Sequence, residues 1–456
     1  MPHRMDRYGI AAGRDSSDAF ARRLAAIVLA GVAARVAYVL LSRHVRPAGD
    51  SDFFFVMGQL LAAGHGFENA VVYHLSGDLV PTALHPPVFP LLLGAIAKIG
   101  VHGYVGQRVV LGCLLGAGTI TAVALLARRI GGPPAGLLAA AIAALDPMLV
   151  GADAALMSEA LFGLLVVCSM LVAYAMLERP TLRRAALLGA LVGAATLTRG
   201  EGILLLALLA VPLAVRRSGT GAGRRRAQLA VTCLVCLVVI APWGARNWHV
   251  FHHFVPISNN DGTLLAGANC GVTYHGPALG AWRLACIPRR GDPNEAEAAR
   301  VYRDAGTTYA VDHLGRLPVV LAARAGRSLG VYGITWEVRH SEGRLPAVTA
   351  AGLVTFLLLL PLAFAAVRGL RRRGEPLFIL AAPAIVTAAV TLLGYGAPRF
   401  RHPLDLVVAA LAGVAVHRRL AQRDAASVSS AAEPPQAPTR RSLRRRRPAG
   451  SGRSSS

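Results

Sequence analysis

Long apolar stretches alternate with short polar connections along this chain, and the pattern predicts a bundle of membrane-spanning helices. A helix that crosses a bilayer needs about 20 apolar residues. Two stretches, 133–177 and 185–215, are longer than that and are interrupted by polar residues, so each is expected to form a hairpin of two spans. Single spans are expected at 22–42, 105–127, 227–245, 346–367, 376–394 and 402–417, which makes about ten in all.

The second hairpin is short for the membrane that it enters. Each arm, on either side of Arg199-Gly200-Glu201-Gly202, has about 14 residues and a length of about 21 Å. The turn is therefore expected below the outer membrane surface, where irregular backbone is tolerated only against protein or in a wet cavity. This predicts that Arg199 and Glu201 lie in an interior site.

Arginine clusters stand on one side of the predicted membrane domain. Under the positive-inside rule these clusters are cytoplasmic, so both termini are expected in the cytoplasm of a cell whose plasma membrane holds the protein. The chemistry is then expected on the extracytoplasmic side. The clusters are Arg22-Arg23, Arg128-Arg129, Arg183-Arg184, 216–226, 368–373 and the basic segment from Arg418 onward.

Two long outer loops, 43–104 and 246–345, complete the predicted membrane domain at 22–417. Helices at about 51–63 and 87–99 suit the membrane surface better than spans. A further helix is expected at about 295–313 in the second loop. The N-terminus at 1–21 is expected to be cytoplasmic, and the Arg/Ser/Pro-rich tail at 418–456 is expected to be disordered, because it has few apolar residues.

Composition supports an all-α polytopic membrane protein. Hydrophobic residues make up 54% of the chain and charged residues only 16%, with a mean hydropathy of +0.49. The net charge of +24 comes largely from arginines in predicted cytoplasmic segments. It is therefore interpreted as a topology signal and as contact with anionic lipids, and no nucleic-acid partner is expected.

Two carboxylates, Asp50 and Asp52, follow the first span directly. A carboxylate at the membrane-water boundary can take a proton from a hydroxyl group while a lipid-borne substrate arrives from the bilayer. Asp50 is equally suited to cap the helix that begins there, and the two interpretations are compatible. His85, in a proline-rich segment of the same loop, is either a substrate contact or a structural residue.

Several charged residues stand at the outer ends of other spans, where the positive-inside pattern does not explain arginines. Outward guanidinium groups suit a phosphate held at membrane depth, because they bind phosphate oxygens in a planar, bidentate geometry. The alternative is that these arginines pair with Glu159, Glu201 or Asp405. The candidate binding residues are Glu159, Arg199, Glu201, Arg246, Arg399 and Arg401.

Two of the six cysteines, Cys270 and Cys286, lie in the second outer loop. The extracytoplasmic compartment is oxidising, so a disulfide between them is expected.

Six motifs in this order resemble those of bacterial members of glycosyltransferase family 39, a group similar to the protein O-mannosyltransferases and the lipid A aminoarabinose transferases. The resemblance covers about residues 20–417. It implies a GT-C fold and an enzyme that passes a hexose or pentose from a polyprenyl phosphate to an extracytoplasmic protein, lipid or glycan, with inversion. The motifs are Asp50, His85-Pro-Pro-Val-Phe-Pro90, Ser158-Glu159-Ala-Leu-Phe162, Leu197-Thr-Arg199-Gly-Glu201-Gly202, Pro242-Trp-Gly-Ala-Arg246-Asn247 and Pro398-Arg399-Phe-Arg401-His-Pro403.

By this resemblance Asp50 is the catalytic carboxylate, and Asp52 is the reserve candidate. His85 stands where relatives commonly have arginine, which weakens a phosphate-binding role because neutral histidine is a poor phosphate ligand. No obligatory metal is expected. A divalent ion remains possible if Asp50 and Asp52 lie in extended backbone, whereas side chains two apart in a helix diverge.

Two other classes of protein would share parts of this pattern. A transporter or flippase for lipid-linked substrates would also have about ten spans and interior charges, but the inverted repeats typical of transporters are not evident. A noncatalytic envelope assembly protein would use the outer loops to bind partners, and loss of binding without loss of sugar transfer would identify it.

Overall fold

The computed structural model describes residues 6–216, 221–288 and 294–432, and within these ranges the chain forms helices and connecting loops without a β-strand. The all-α membrane architecture is therefore confirmed. The helices are α1 (Asp6–Leu41), α2 (Asp50–Ala63), α3 (Ala70–Ser76), α4 (Val88–Lys98), α5 (Tyr104–Gly131), α6 (Pro133–Leu145), α7 (Pro147–Asp153), α8 (Ser158–Glu178), α9 (Leu182–Thr196), α10 (Val211–Val215), α11 (Ala222–Phe251), α12 (Asn260–Ala268), α13 (Gly271–Tyr274), α14 (Glu295–Asp312), α15 (Leu317–Leu329), α16 (Ile334–Arg339), α17 (Pro346–Arg372), α18 (Leu377–Leu393) and α19 (His402–Ala432).

Five helices of the described ranges are long and apolar enough to cross a bilayer: α5, α8, α11, α17 and the part of α1 from Asp18 to Leu41. The pair α6 and α7, bent by 65° at Asp146-Pro147, counts as a sixth if it forms one span. The carboxylate of Asp146 caps α7 by accepting from the backbone N–H groups of Met148 and Leu149. The other predicted spans are helical but shorter or more polar, so the count of ten stays a prediction.

The region after α9 is broken, as expected for a buried turn. A 3-10 segment at Gly200–Ile203, a π-helical segment at Leu206–Ala210 and the short α10 follow one another. The side chains of Arg199 and Glu201 are 16% and 18% exposed, so both lie largely inside the protein.

Both ends of the chain differ from the predicted boundaries. Helix α1 begins at Asp6, well before the predicted span at 22, and residues 1–5 lie outside the described ranges. Helix α19 continues to Ala432, so the segment 418–432, expected to be disordered, is helical. The remainder of the predicted tail, 433–456, lies outside the described residues. Contacts separate the chain into one unit up to His417 and a small one from Arg418.

Buried polar contacts and close helix packing position the segments that carry the candidate site. Nε of Arg35 donates to Oδ2 of Asp153 at 2.8 Å, and both side chains are fully buried, which ties α1 to the end of α7. Helices α2 and α4 approach closely, because a Cβ at Gly58 would lie 2.8 Å from Cβ of Leu93.

The two outer loops are joined by the carboxylate of Glu295 at the start of α14. Its Oε1 accepts from the backbone N–H of Ala83 at 2.8 Å and from Nδ2 of Asn259 at 3.1 Å. This contact connects the loop that carries His85 to the second outer loop.

Candidate active site

The centre of the candidate site is an ion pair between Asp50 and Arg399. Asp50 is the first residue of α2 and follows Gly49, whose φ of 58° favours glycine. Arg399 lies in a 3-10 turn at Pro398–Arg401 between α18 and α19. Its Nη1 is 2.9 Å from Oδ2 of Asp50. The residue in the capping position of α2 is Gly49, and the Asp50 carboxylate is turned toward the arginine.

His85 lies on the other side of the Asp50 carboxylate. Its Nε2 is 3.8 Å from Oδ1 of Asp50, and its ring packs against those of Phe53 and Phe54 with centroids 4.8 and 4.7 Å away. Burial lowers the pKa of His85, which favours the neutral ring. Burial also opposes ionisation of Asp50, but the charge and hydrogen bond of Arg399 outweigh it and hold the pKa of Asp50 below its usual value.

Two residues that sequence reasoning missed complete the surroundings of Arg399. Oε2 of Glu342, in the loop between α16 and α17, is 3.0 Å from Nη1 of Arg399. The hydroxyl oxygen of Tyr395 accepts from Nη2 at 2.6 Å. Burial raises the pKa of Glu342 and raises that of Tyr395 to about 12. Glu342 ends a long polar loop next to a span, which is a weak signal, and Tyr395 lies just ahead of the Pro398-to-Pro403 motif.

A second buried charge cluster adjoins Arg399. Nη1 of Arg199 is 2.9 Å from Oε1 of Glu159, and its Nε donates to Oε1 of Glu201 at 2.6 Å. Glu159 also lies 3.6 Å from Nε of Arg399. Both guanidinium groups stand about 5 Å from the ring of Phe400, at 5.3 Å for Arg199 and 5.2 Å for Arg399. The structure thus brings together five of the predicted residues: Asp50, His85, Glu159, Arg199 and Glu201, around Arg399.

Arg399 and Glu342 line a cavity of about 1470 Å³. This is larger than the roughly 300–1000 Å³ typical of small-molecule pockets. Its wall contains four aromatic side chains, from Trp282, Tyr302, Trp336 and Tyr395.

One wall of the cavity is braced by a covalent link. Cys270 and Cys286, the pair expected from the sequence, are joined in a disulfide with Cα atoms 6.0 Å apart. The residues around Cys286, including Leu284 and Ile287, line the cavity.

Comparisons with known proteins agree with this architecture. A family model described as dolichyl-phosphate-mannose-protein mannosyltransferase matches residues 84–245. The oligosaccharyltransferase of Archaeoglobus fulgidus, tethered with an acceptor peptide, superposes with a TM-score of 0.53 at 15% identity, covering 91% of this chain and 51% of that one. The chain has the GT-C fold.

Two further structures are similar to this GT-C chain. The archaeal oligosaccharyltransferase AglB from A. fulgidus, in complex with an inhibitory peptide and a dolichol-phosphate, has a TM-score of 0.53 at 14% identity over 91% of this chain and 52% of that one. ArnT from Cupriavidus metallidurans has a TM-score of 0.41 at 16% identity, covering 91% and 81%. The chain thus spans about half the length of the archaeal enzyme. No curated protein sequence matches it.

Asp52 and Arg246, both predicted site residues, lie apart from the cluster around Arg399. Asp52 points away from Asp50, with Oδ2 3.9 Å from Nδ1 of His74, because side chains two apart in a helix diverge. The guanidinium of Arg246 donates to the backbone carbonyls of Thr82 and Phe67 at 2.8 and 3.1 Å. Arg246 therefore holds the first outer loop and does not face Arg399.

Arg401, two residues from Arg399, also contacts groups outside the candidate site. Its Nε donates to Oδ1 of Asp405 at 2.9 Å, its Nη1 donates to the carbonyl of Ser328, and its guanidinium covers the ring of Phe356 at 3.9 Å. With the side chain 1% exposed, Arg401 has no access to a ligand in the cavity. Of the predicted arginine pair, only Arg399 is positioned to bind phosphate.

Arg401→Ala is expected to destabilise the protein rather than alter its ligand binding. Removal of one partner leaves Asp405 buried without its counter-ion, which costs about 3–5 kcal/mol in the free energy of unfolding. The apparent melting temperature in nanodiscs should fall, and the added change Asp405→Ala should restore part of the loss. A melting temperature equal to that of wild type would contradict this structural role.

No group of three or more His, Cys, Asp or Glu side chains within the described ranges is placed to hold a metal ion. The guanidinium of Arg399 pairs with both Asp50 and Glu342, because its Nη1 lies between their carboxylates. The positive charge near the catalytic candidate is thus supplied by the chain itself.

Proposed function

We propose that this protein is a membrane glycosyltransferase that moves a hexose or pentose from a polyprenyl phosphate to a hydroxyl group of an extracytoplasmic protein, lipid or glycan. The observation that carries the proposal is the Asp50–Arg399 pair, a carboxylate and a guanidinium 2.9 Å apart beside a large cavity. A carboxylate that can take a proton and a guanidinium that can bind a phosphate are the two groups that single-step transfer from a sugar phosphate requires. The archaeal GT-C enzyme bound to dolichol-phosphate supports a lipid phosphate as part of the donor.

In this proposal Asp50 accepts the proton of the acceptor hydroxyl as its oxygen attacks the anomeric carbon. The new carbon–oxygen bond forms on the face opposite the phosphate, and the bond between the anomeric carbon and the phosphate oxygen breaks. Its electron pair stays on the departing polyprenyl phosphate, so the anomeric configuration inverts. The phosphate is a good leaving group, and no strong general acid is needed.

Arg399 stabilises the charge that develops on the departing phosphate. A prepositioned donor in a site shielded from water contributes on the order of 3 kcal/mol to lowering the barrier. Arg199 supports it through Glu159, which contacts both guanidinium groups. Arg246 and Arg401 have structural roles in this account.

Donor binding is expected to make Asp50 a better base. In the empty site Arg399 helps to hold the pKa of Asp50 low, which keeps the carboxylate ionised but weakly basic. When the guanidinium of Arg399 turns to a donor phosphate, its contact with Asp50 weakens, so the pKa of Asp50 should rise. A higher pKa brings the base closer to the working pH, where proton transfer is most effective.

Transfer itself is the experiment that tests this proposal. The purified protein would be incubated in nanodiscs with a panel of radiolabelled polyprenyl-phosphate hexoses and pentoses and with membrane acceptors. Label should move from at least one donor to an acceptor, and it should still move in the presence of EDTA because Arg399 supplies the cation. Absence of transfer with every donor, together with movement of intact donor across the bilayer of proteoliposomes, would favour a flippase instead.

We further propose that the site faces outward from a plasma membrane and that both termini are cytoplasmic. Arg129 pairs with Glu178 at 2.7 Å, at the end of α8 opposite Glu159, so the arginine cluster and the site lie at opposite ends of that helix. The arginine clusters would contact anionic lipids on the cytoplasmic side.

Reporter fusions test this orientation. Fusions after residues 130 and 372 are expected to report a cytoplasmic position, and a fusion near 75, in the first outer loop, should report an external one. A cytoplasmic signal near 75 would place the site on the wrong side for an extracytoplasmic acceptor.

A further inference from the structure

The guanidinium of Arg399 is almost fully occupied before any donor is bound. Nη1 lies within 3.0 Å of two carboxylates, those of Asp50 at 2.9 Å and Glu342 at 3.0 Å. Nη2 donates to Tyr395, and Nε lies 3.6 Å from Glu159. A guanidinium has five N–H groups, and the Nε contact is too long for a hydrogen bond, so these partners leave one N–H on Nη2 and the one on Nε.

The remaining N–H groups of Arg399 are poorly placed to bind a phosphate. Guanidinium groups hold phosphate most strongly through two parallel N–H bonds from neighbouring nitrogens, and every such pair on Arg399 includes a nitrogen that already faces a carboxylate. On the Nη1–Nη2 edge a donor phosphate can therefore bind in bidentate fashion only after a carboxylate has left Nη1, and on the Nε edge it would meet the buried carboxylate of Glu159.

The three carboxylates differ in how firmly they are held. Glu159 is 5% exposed and is bound by Arg199 as well. Asp50 belongs to the first turn of α2 and has His85 beside it. Glu342 lies in the loop between α16 and α17, its side chain is 37% exposed, and it faces the cavity directly.

Besides Arg399, Glu342 contacts backbone groups and no second cation among the described residues. It is followed by Gly343, whose φ of 67° lies in a region that glycine enters without strain. Its carboxyl group rests on the backbone at the start of α2, where a Cβ at Gly49 would come within 2.8 Å of Cδ and the backbone N–H of Asp50 donates to the carboxyl group.

We propose that Glu342 occupies the position of the donor phosphate on Arg399 in the empty site, and that the donor displaces it on binding. This inference rests on the proposed function, and it adds Glu342 as a residue that controls how tightly a lipid phosphate binds. One anion replaces another, so Arg399 is never left without a counter-charge. The raised pKa of Glu342 agrees with this role, because a carboxylate that is less stable as an anion gives up the guanidinium more easily than Asp50 does.

Calorimetric titration with citronellyl phosphate, a short water-soluble polyprenyl phosphate, tests this displacement in the full-length purified protein. Glu342→Gln keeps the size of the side chain but removes its charge, so the competition weakens. The variant should bind the probe about tenfold more tightly than wild type, because the competing anion on Arg399 has lost its charge. Tighter binding is a gain that a merely structural loss does not produce.

Two further variants serve as controls. Glu297→Gln removes a negative charge from the same outer loop at a site where the carboxylate lies near His253, 3.4 Å away, and it should leave affinity unchanged. In an Arg399→Ala background, Glu342→Gln should give no gain, because the guanidinium for which the two anions compete is gone.

The outcomes separate this inference from the proposed function. If Arg399→Ala weakens binding but Glu342→Gln does not tighten it, Arg399 holds the phosphate and Glu342 is not its competitor. If neither change affects affinity, the phosphate binds elsewhere, and both the inference and the proposed role of Arg399 fail. A gain from Glu342→Gln that persists without Arg399 also overturns the displacement.

Discussion

Replacing Asp50 with asparagine is expected to lower the rate of sugar transfer by about 100-fold or more, since it removes the proposed general base. The amide has the same size as the carboxylate, and Arg399 keeps Glu342 and Glu159 as partners. Folding and membrane insertion should therefore persist. The measurement is the initial rate of transfer at saturating donor, together with the apparent melting temperature.

Asp52→Asn is the matched control for this prediction. It makes the same chemical change two residues away, on a carboxylate that faces His74 instead of Arg399. Its transfer rate should stay close to that of wild type. A stable Asp50→Asn enzyme with near-normal activity would end the assignment of Asp50 as the base, and an inactive Asp52→Asn would move the assignment there.

Arg399→Ala is expected to lower kcat/KM for the donor by about 100- to 1000-fold, comparable to the loss of one oxyanion donor in other enzymes. Arg399→Lys should recover only part of this activity, because lysine keeps the charge but not the bidentate geometry. The steady-state kinetics of donor use distinguish the two variants. Full activity of Arg399→Ala would show that the phosphate is bound by other groups.

The same substitution has a predicted effect on pH dependence. Arg399 helps to hold the pKa of Asp50 below its usual value, so its removal should raise that pKa. Activity requires the ionised carboxylate and is lost as the pH falls through its pKa. The acid limb of the kcat/KM profile for the residual activity of Arg399→Ala should therefore lie at higher pH than in wild type. Arg399→Lys keeps the positive charge, so its acid limb should not shift in this way.

The helical architecture follows from the sequence because the bilayer imposes a simple requirement of length and polarity. The buried turn at Arg199 was predictable from two arms too short to cross. Helices α2, α4 and α14 lie close to their predicted positions. The extension of α1 and α19 was missed because hydropathy marks where a helix enters the membrane and not where the helix ends.

The candidate site was predictable only in part, because the roles of its residues depend on contacts between segments that are far apart in the sequence. Arg246, Arg399 and Arg401 are alike in the sequence, as arginines at the outer ends of spans. Backbone carbonyls occupy Arg246, Asp405 occupies Arg401, and of these three arginines only Arg399 lines the cavity. Glu342 is more than 290 residues from Asp50, and no local pattern indicates that the two carboxylates share one guanidinium.

The stereochemistry of transfer tests the central claim most directly. With a polyprenyl-phosphate sugar of known anomeric configuration, the configuration of the purified product can be read by NMR, beside a parallel reaction with Asp50→Asn. Direct attack by a hydroxyl group that Asp50 deprotonates predicts an inverted product from wild type and almost none from the variant. A product with retained configuration, or equal yields from the two proteins, would contradict the account.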